Sequence, residues 1–199
     1  MKAIMDLHTH TLAAGHAYST LLENIDAALA MGLQYLGMSE HGPTSPGGPH
    51  NFFFSNYKVI PRIYDREENT GRVIPKPDGS LRLLCGVEAN ICSTNGELDL
   101  EERYLQKMDY ALASIHPFAF TAGSRKENTL ASVRAFQNPY VKILGHPDDG
   151  RFPLDYDELV REARQAQAVG SEQFIPESPV GQTRRQRKYY RAVKDLHEV

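Results

Sequence analysis

The stretch "MDLHTHTLAAGHAYST" begins at Met5 and places His8, His10 and His16 within nine residues, directly behind Asp6. Two imidazoles two positions apart on an extended segment project to the same side. That spacing suits chelation, and neutral imidazole is a good ligand for zinc and related transition metals. Further along stand His41, Glu88, His116 and His146. A carboxylate such as Glu88 can bridge two ions, and seven such ligands exceed the needs of one tetrahedral ion. They predict a cluster of two or three metals. The signal is their conjunction, because an HxH pair alone recurs by chance. Six of the eight histidines and one glutamate follow successive apolar runs. His50 and His197 lack that setting and are read as ordinary side chains, as are Cys85 and Cys92, small residues of a kind commonly buried for packing.

Short apolar runs alternate with longer amphipathic ones, the pattern of an α/β chain with parallel strands. Strands are expected over Lys2 to Leu7, "QYLGMS", "LRLLCGVEA", "DYALASI" and "VKILG". The capping box Thr20-x-x-Glu23 opens a helix that Gly32 closes. "KENTLASVRAF" forms another, and "LDYDELVREARQAQAV" a third, opened by Asp155-x-x-Glu158. The Gly/Pro-rich "HGPTSPGGPHN" is too long for a simple connection and is expected to be an active-site loop. Each expected strand runs into a polar ending: His8 and His10, Glu40 and His41, Glu88, His116, His146. Parallel strands separated by helices present their C-terminal ends on one face, where barrel enzymes assemble their sites.

The chain has 199 residues and a net charge of −3, which predicts one domain and argues against bulk electrostatic binding of nucleic acid or anionic membrane. The two cysteines form neither a CxxC pair nor a dense disulfide pattern, no apolar run approaches a membrane span, and no signal peptide is evident. A cytoplasmic location is expected.

The motifs "DLHTHT", "AYST", "SEHGP", "GVEANI", "SIHP" and "GHP", in that order, resemble the PHP (polymerase and histidinol phosphatase) family, in particular its small stand-alone bacterial phosphatases. The resemblance covers about residues 1 to 165, with the loop "FSNYKVIPR" between the third and fourth motifs. It implies a distorted (β/α)7 TIM-like barrel and a three-metal site, commonly zinc, with manganese or iron as alternatives. It further implies that His8 and His10 bind one metal, shared through Glu88 with a second held by His116 and His146, while His16 and His41 serve a third. Within this set Glu88, His10 and His41 are assigned the catalytic role. Asp6 is expected to be a supporting or structural group. Metal-activated water would attack a small phosphomonoester and release inorganic phosphate. Arg62 is either a phosphate-orienting side chain or a surface arginine in a helix.

The resemblance weakens over residues 166–199. "GSEQFIPESPV" is a poor buried strand, and the family's late Gly-Ser-Asp-x-His strand is missing. Asp195-Leu196-His197 shares the spacing but lies in a charged segment with helical character, where positions two apart diverge. A barrel incomplete at its C-terminus exposes strand edges and favours self-association as a homo-oligomer. Three other readings follow: a metal-binding remnant or a fragment completed by a partner chain, a phosphodiesterase or nuclease, and a metal-dependent deaminase. The basic run Arg184 to Arg191 reads as a solvated helix face.

Overall fold

The computed structural model describes residues 3–168. Among them the chain forms two compact units, one of residues 3–88 and 100–111, the other of residues 89–99 and 112–168. The segment 169–199, with Asp195-Leu196-His197 and the basic run, lies outside the described residues.

The first unit opens with β1 (Met5–Thr9), α1 (Leu21–Met31) and β2 (Tyr35–His41). Thr20 and Glu23 make the expected reciprocal capping box, and Gly32 closes α1 in the left-handed conformation. The helix packs on β2 and on two further strands, burying Ile25 and Ala28. Next come α2 (Asn51–Ser55), whose first turn is capped by the His50 ring, a short 3-10 turn Asn56–Val59, and β3 (Ile63–Arg66), β4 (Val73–Pro75) and β5 (Leu81–Asn90). α3 (Glu102–Leu105) precedes β6 (Tyr110–Ser114).

β1, β2 and β5 are parallel, as expected, and β2 is buried from Leu36 to His41 because it is paired on both edges. The hairpin of β3 and β4 was not foreseen in the sequence. β3 runs antiparallel to both β4 and β5, and its "IYDR" alternation is too short and polar to stand out from a loop. The first strand begins three residues later and ends two residues later than expected, so that His8 lies inside β1. Its register slips between Asp6 and Thr9, three residues on β1 facing two on β2. That is a β-bulge, and it breaks the simple two-residue period on which the spacing argument for His8 and His10 rests.

The bulge has a specific buttress. Tyr110 Oη donates to the Leu7 carbonyl at 2.6 Å, and Thr9 Oγ1 donates to the Gly37 carbonyl at 2.6 Å. The Tyr110 ring passes over the strand glycines: a Cβ at Gly86 would lie 2.6 Å from its Cζ, and one at Gly37 would overlap its hydroxyl. Glycine is required at both positions by this close approach.

In the second unit β5 ends in a tight hairpin. Ile91 bridges Leu98, Cys92 N–H donates to the Glu97 carbonyl, and Asp99 N–H returns to the Asn90 carbonyl. Arg134 holds the hairpin tip through the Thr94 carbonyl and Asn95 Oδ1, both at 3.0 Å. α4 (Arg125–Phe136), β7 (Val141–Leu144) and α5 (Tyr156–Ala168) follow, and β6 pairs with β5 and β7. Ser124 and Glu127 form a second capping box at α4, and Asp155 Oδ1 accepts from the Glu158 N–H at the start of α5. Ala131, Val133 and Ala135 of α4 are buried, with Val141 and Ile143 of β7.

Candidate metal centre

The first unit gathers five of the expected ligands. Glu88, 1% exposed, points Oε2 at three imidazoles: His8 Nε2 at 3.1 Å, His10 Nε2 at 3.3 Å and His41 Nδ1 at 2.9 Å. His10 also stacks on His41, with ring centroids 4.6 Å apart, and lies 5.2 Å from the ring of His16, which is 4.7 Å from that of His41. Two sets therefore have all their ligating atoms within 4.8 Å of one another, His8, His10 and Glu88, and His10, His16 and His41. His10 belongs to both.

This donor set fits a metal. An ionised carboxylate buried so completely is costly unless positive charge lies beside it. Nitrogen or oxygen ligands about 2.0–2.1 Å from a tetrahedral zinc stand roughly 3.3 Å from one another, close to the separations at Glu88. His10 Nδ1 is buried with no hydrogen-bond partner, and such an orphan in a native-like interior calls for an ion or a water.

The backbone around these side chains is fixed at several points. Glu40, fully buried, accepts from Thr11 N–H at 3.0 Å and from the Thr11 hydroxyl. This clamps the residue that follows His10. Asn24 Nδ2 donates to the His10 carbonyl at 2.9 Å. His16 follows Gly15, whose φ of +79° and contact with the Gly47 backbone admit no side chain. The Gly/Pro-rich loop is thus packed against the histidine loop, and its start is anchored where Gly42 N–H donates to the Glu88 carbonyl at 2.8 Å. Asp6 Oδ1 accepts the His8 N–H at 3.1 Å, a supporting contact.

Arg62 is not brought to this cluster, nor does it lie in a helix. Its backbone carbonyl accepts from Leu83 N–H, five residues before Glu88 on β5, and its guanidinium pairs with Asp109. Asp109 Oδ2 also accepts the Cys85 N–H at 2.7 Å. The pair ties β3 to the strands beside it.

The second unit holds His116 and His146, with ring centroids 5.0 Å apart. His116 lies two residues past β6, is 8% exposed, and stacks on Phe118 at 5.1 Å. Its Nδ1 is 2.7 Å from Asn90 Oδ1. His146 carries φ of +27°, the one positive value at a non-glycine among the described residues. Such backbone costs about 1–3 kcal/mol and collects at functional sites. Beside it, hydrogen bonds from Arg151 hold the Asp149 carboxyl below the usual carboxylate range.

Three supporting residues were missed in the sequence, Thr11, Tyr110 and Asn90, while Glu40 was noted only as a polar strand ending. Asn90 had a signal, since it follows Glu88 by two positions on a strand and so shares its side of the sheet.

Comparison with known proteins agrees with the motifs. A family model described as "PHP domain" matches residues 6–178. A protein of Clostridium acetobutylicum named a "Probable phosphatase" is 42% identical over 166 residues, which are 83% of this chain and 62% of that protein. Similarly named proteins of Clostridium novyi and Caldanaerobacter subterraneus are 42% and 41% identical, over 62% and 60% of their lengths. The chain thus spans about three fifths of the length of the curated relatives it matches. No helix among the described residues is long and apolar enough to cross a membrane. With a family match over most of its length and these motifs in place, the chain belongs to the PHP domain family.

Proposed function

We propose that this chain is a metal-dependent phosphatase that hydrolyses a small phosphomonoester at a multinuclear centre. The observation that carries the reading is the convergence of three imidazole nitrogens within 3.3 Å of one oxygen of buried Glu88. His8, His10 and Glu88 would hold one ion, and His16 and His41, with His10 beside them, another. His116 and His146 are the further ligands that the family resemblance implies, making a three-ion centre. The histidine-rich donor set suits zinc, with manganese or iron as alternatives. When bound, such ions offset phosphate charge and acidify water near neutral pH. Glu88 supplies the negative charge that retains the ions, and its burial keeps bulk water from competing for it. His10 and His41, stacked together, fix the spacing between the two sets. The names of the relatives support phosphatase activity, and the family match, which runs through both units, supports a single PHP-like domain. Free Cys85 and Cys92 accord with a cytoplasmic location.

The test is metal content per chain together with phosphate release from an aryl phosphate, with and without chelator. Chelator-sensitive release is expected, and Glu88→Ala should lose bound metal and about a thousandfold in turnover, the loss of several kcal/mol of charge stabilisation. Metal binding without release from a panel of phosphomonoesters would overturn the proposal, and cleavage of diesters alone would redirect it to a phosphodiesterase.

A further inference from the structure

The second unit contains a chain of hydrogen bonds that fixes the chemistry of one histidine. Asn90 is fully buried at the end of β5. Its Nδ2 lies 2.5 Å from Asp99 Oδ2, and its backbone N–H donates to Asp99 Oδ1 at 2.8 Å. Its Oδ1 lies 2.7 Å from His116 Nδ1. The direction of this chain follows from donor and acceptor capacity alone. An ionised aspartate only accepts, so the amide must turn its NH2 toward Asp99. That leaves the amide oxygen, which also only accepts, facing the imidazole. His116 must therefore carry its proton on Nδ1, and Nε2 becomes the unprotonated nitrogen. The opposite amide orientation would press the Asn90 oxygen against a carboxylate oxygen.

We propose that Asp99 and Asn90 are positioning residues that lock His116 in the Nδ1–H tautomer, presenting Nε2 as its ligand atom. The inference rests on the metal-centre reading only for what Nε2 binds. The tautomer itself is a property of the metal-free chain. The hairpin gives the relay its reach, because the turn at residues 93–96 folds Asp99 back to pair with Asn90 in both main chain and side chain. Hydrogen bonding at the second ring nitrogen orients a ligating histidine, and its loss costs about 10–100-fold in metal affinity.

The experiment is nitrogen-15 NMR of the histidine rings in metal-free protein, above the pH at which imidazole titrates, followed by zinc titration. Wild type should show His116 protonated on Nδ1. Asn90→Leu should shift it toward Nε2–H and weaken zinc binding about 10–100-fold. The exchanged pair Asn90→Asp with Asp99→Asn keeps an acceptor at the ring and a donor to it, so it should restore both the tautomer and the affinity to within a few-fold. A change in packing alone would not be rescued by this exchange, which alters no chain length. An Nε2–H tautomer in wild type, or one unmoved in Asn90→Leu, would overturn the relay. So would a shifted tautomer with unchanged zinc affinity. A wild-type chain that shows the Nδ1–H tautomer yet binds no zinc would overturn the metal-centre reading and leave the relay standing.

Discussion

In the first unit the candidate ligands are placed through the main chain: a bulge at His8, Thr11 clamped by Glu40 just after His10, and a left-handed glycine just before His16. In the second unit His116 is placed through its ring, by an amide that is itself held by a carboxylate. The two arrangements answer different needs. Where several imidazoles crowd one carboxylate, each ring is already restricted by its neighbours, and the backbone is what remains to be fixed. Where few ligands stand together, ring rotation and tautomer are the open variables, and hydrogen bonds at the far nitrogen close them.

This contrast can be broken by substitutions in the first unit that touch no ligand. The largest effect is expected from Gly86→Ala, whose methyl group meets the Tyr110 ring. Overpacking of this kind should cost about 3 kcal/mol in urea unfolding and displace His8 with the bulge. An unfolding midpoint equal to wild type would mean that Tyr110 does not buttress β1. Thr11→Val removes one donor from a buried carboxylate and should cost about 2 kcal/mol. It should also weaken metal binding, with no change in the His116 tautomer. A tautomer change in Thr11→Val would erase the distinction between the two modes of placement.

The smallest effect concerns the cysteines, one in each unit. Burial pushes the Cys85 thiol up to about 12, and Cys92, half-buried, is raised by burial and by nearby Asp99 and Glu97. Because the thiolate is the reactive form, iodoacetamide should modify Cys85 at least ~10-fold more slowly than Cys92 in native protein. Equal rates, read by mass spectrometry of the peptides, would show that the β5 core opens as readily as the hairpin.

The parallel strands and their polar endings were legible because apolar runs and capping boxes are local signals. Thr20 with Glu23 and Asp155 with Glu158 stand where the sequence predicts. The histidines and Glu88 of the candidate centre stood out for the same reason, each following an apolar run. What was hidden depends on pairing across distance. β3 and β4 are only four and three residues long, and it is the pairing of β3 with β5 that gives them a sheet to join. The bulge in β1 has no mark in "MDLHT", and the tyrosine that bonds to it lies far along the chain. Arg62 looked available to a phosphate because nothing nearby in sequence discloses Asp109 as its partner. Asp99, nine residues from Asn90, meets it only once the turn between them closes.

The bond from Tyr110 to Leu7 joins residues 103 positions apart, and this sets an order of events during synthesis. At roughly 5–20 residues per second, the ribosome delivers Tyr110 some 5–20 s after Leu7. For that interval the bulge lacks its buttress, and His8 and His10 are exposed in the cell without the strand geometry that pairs them with Glu88. Metal capture by the nascent histidine pair before that point would be of the loose kind open to any flexible HxH segment. The mature first-unit site is completed only when β6 arrives.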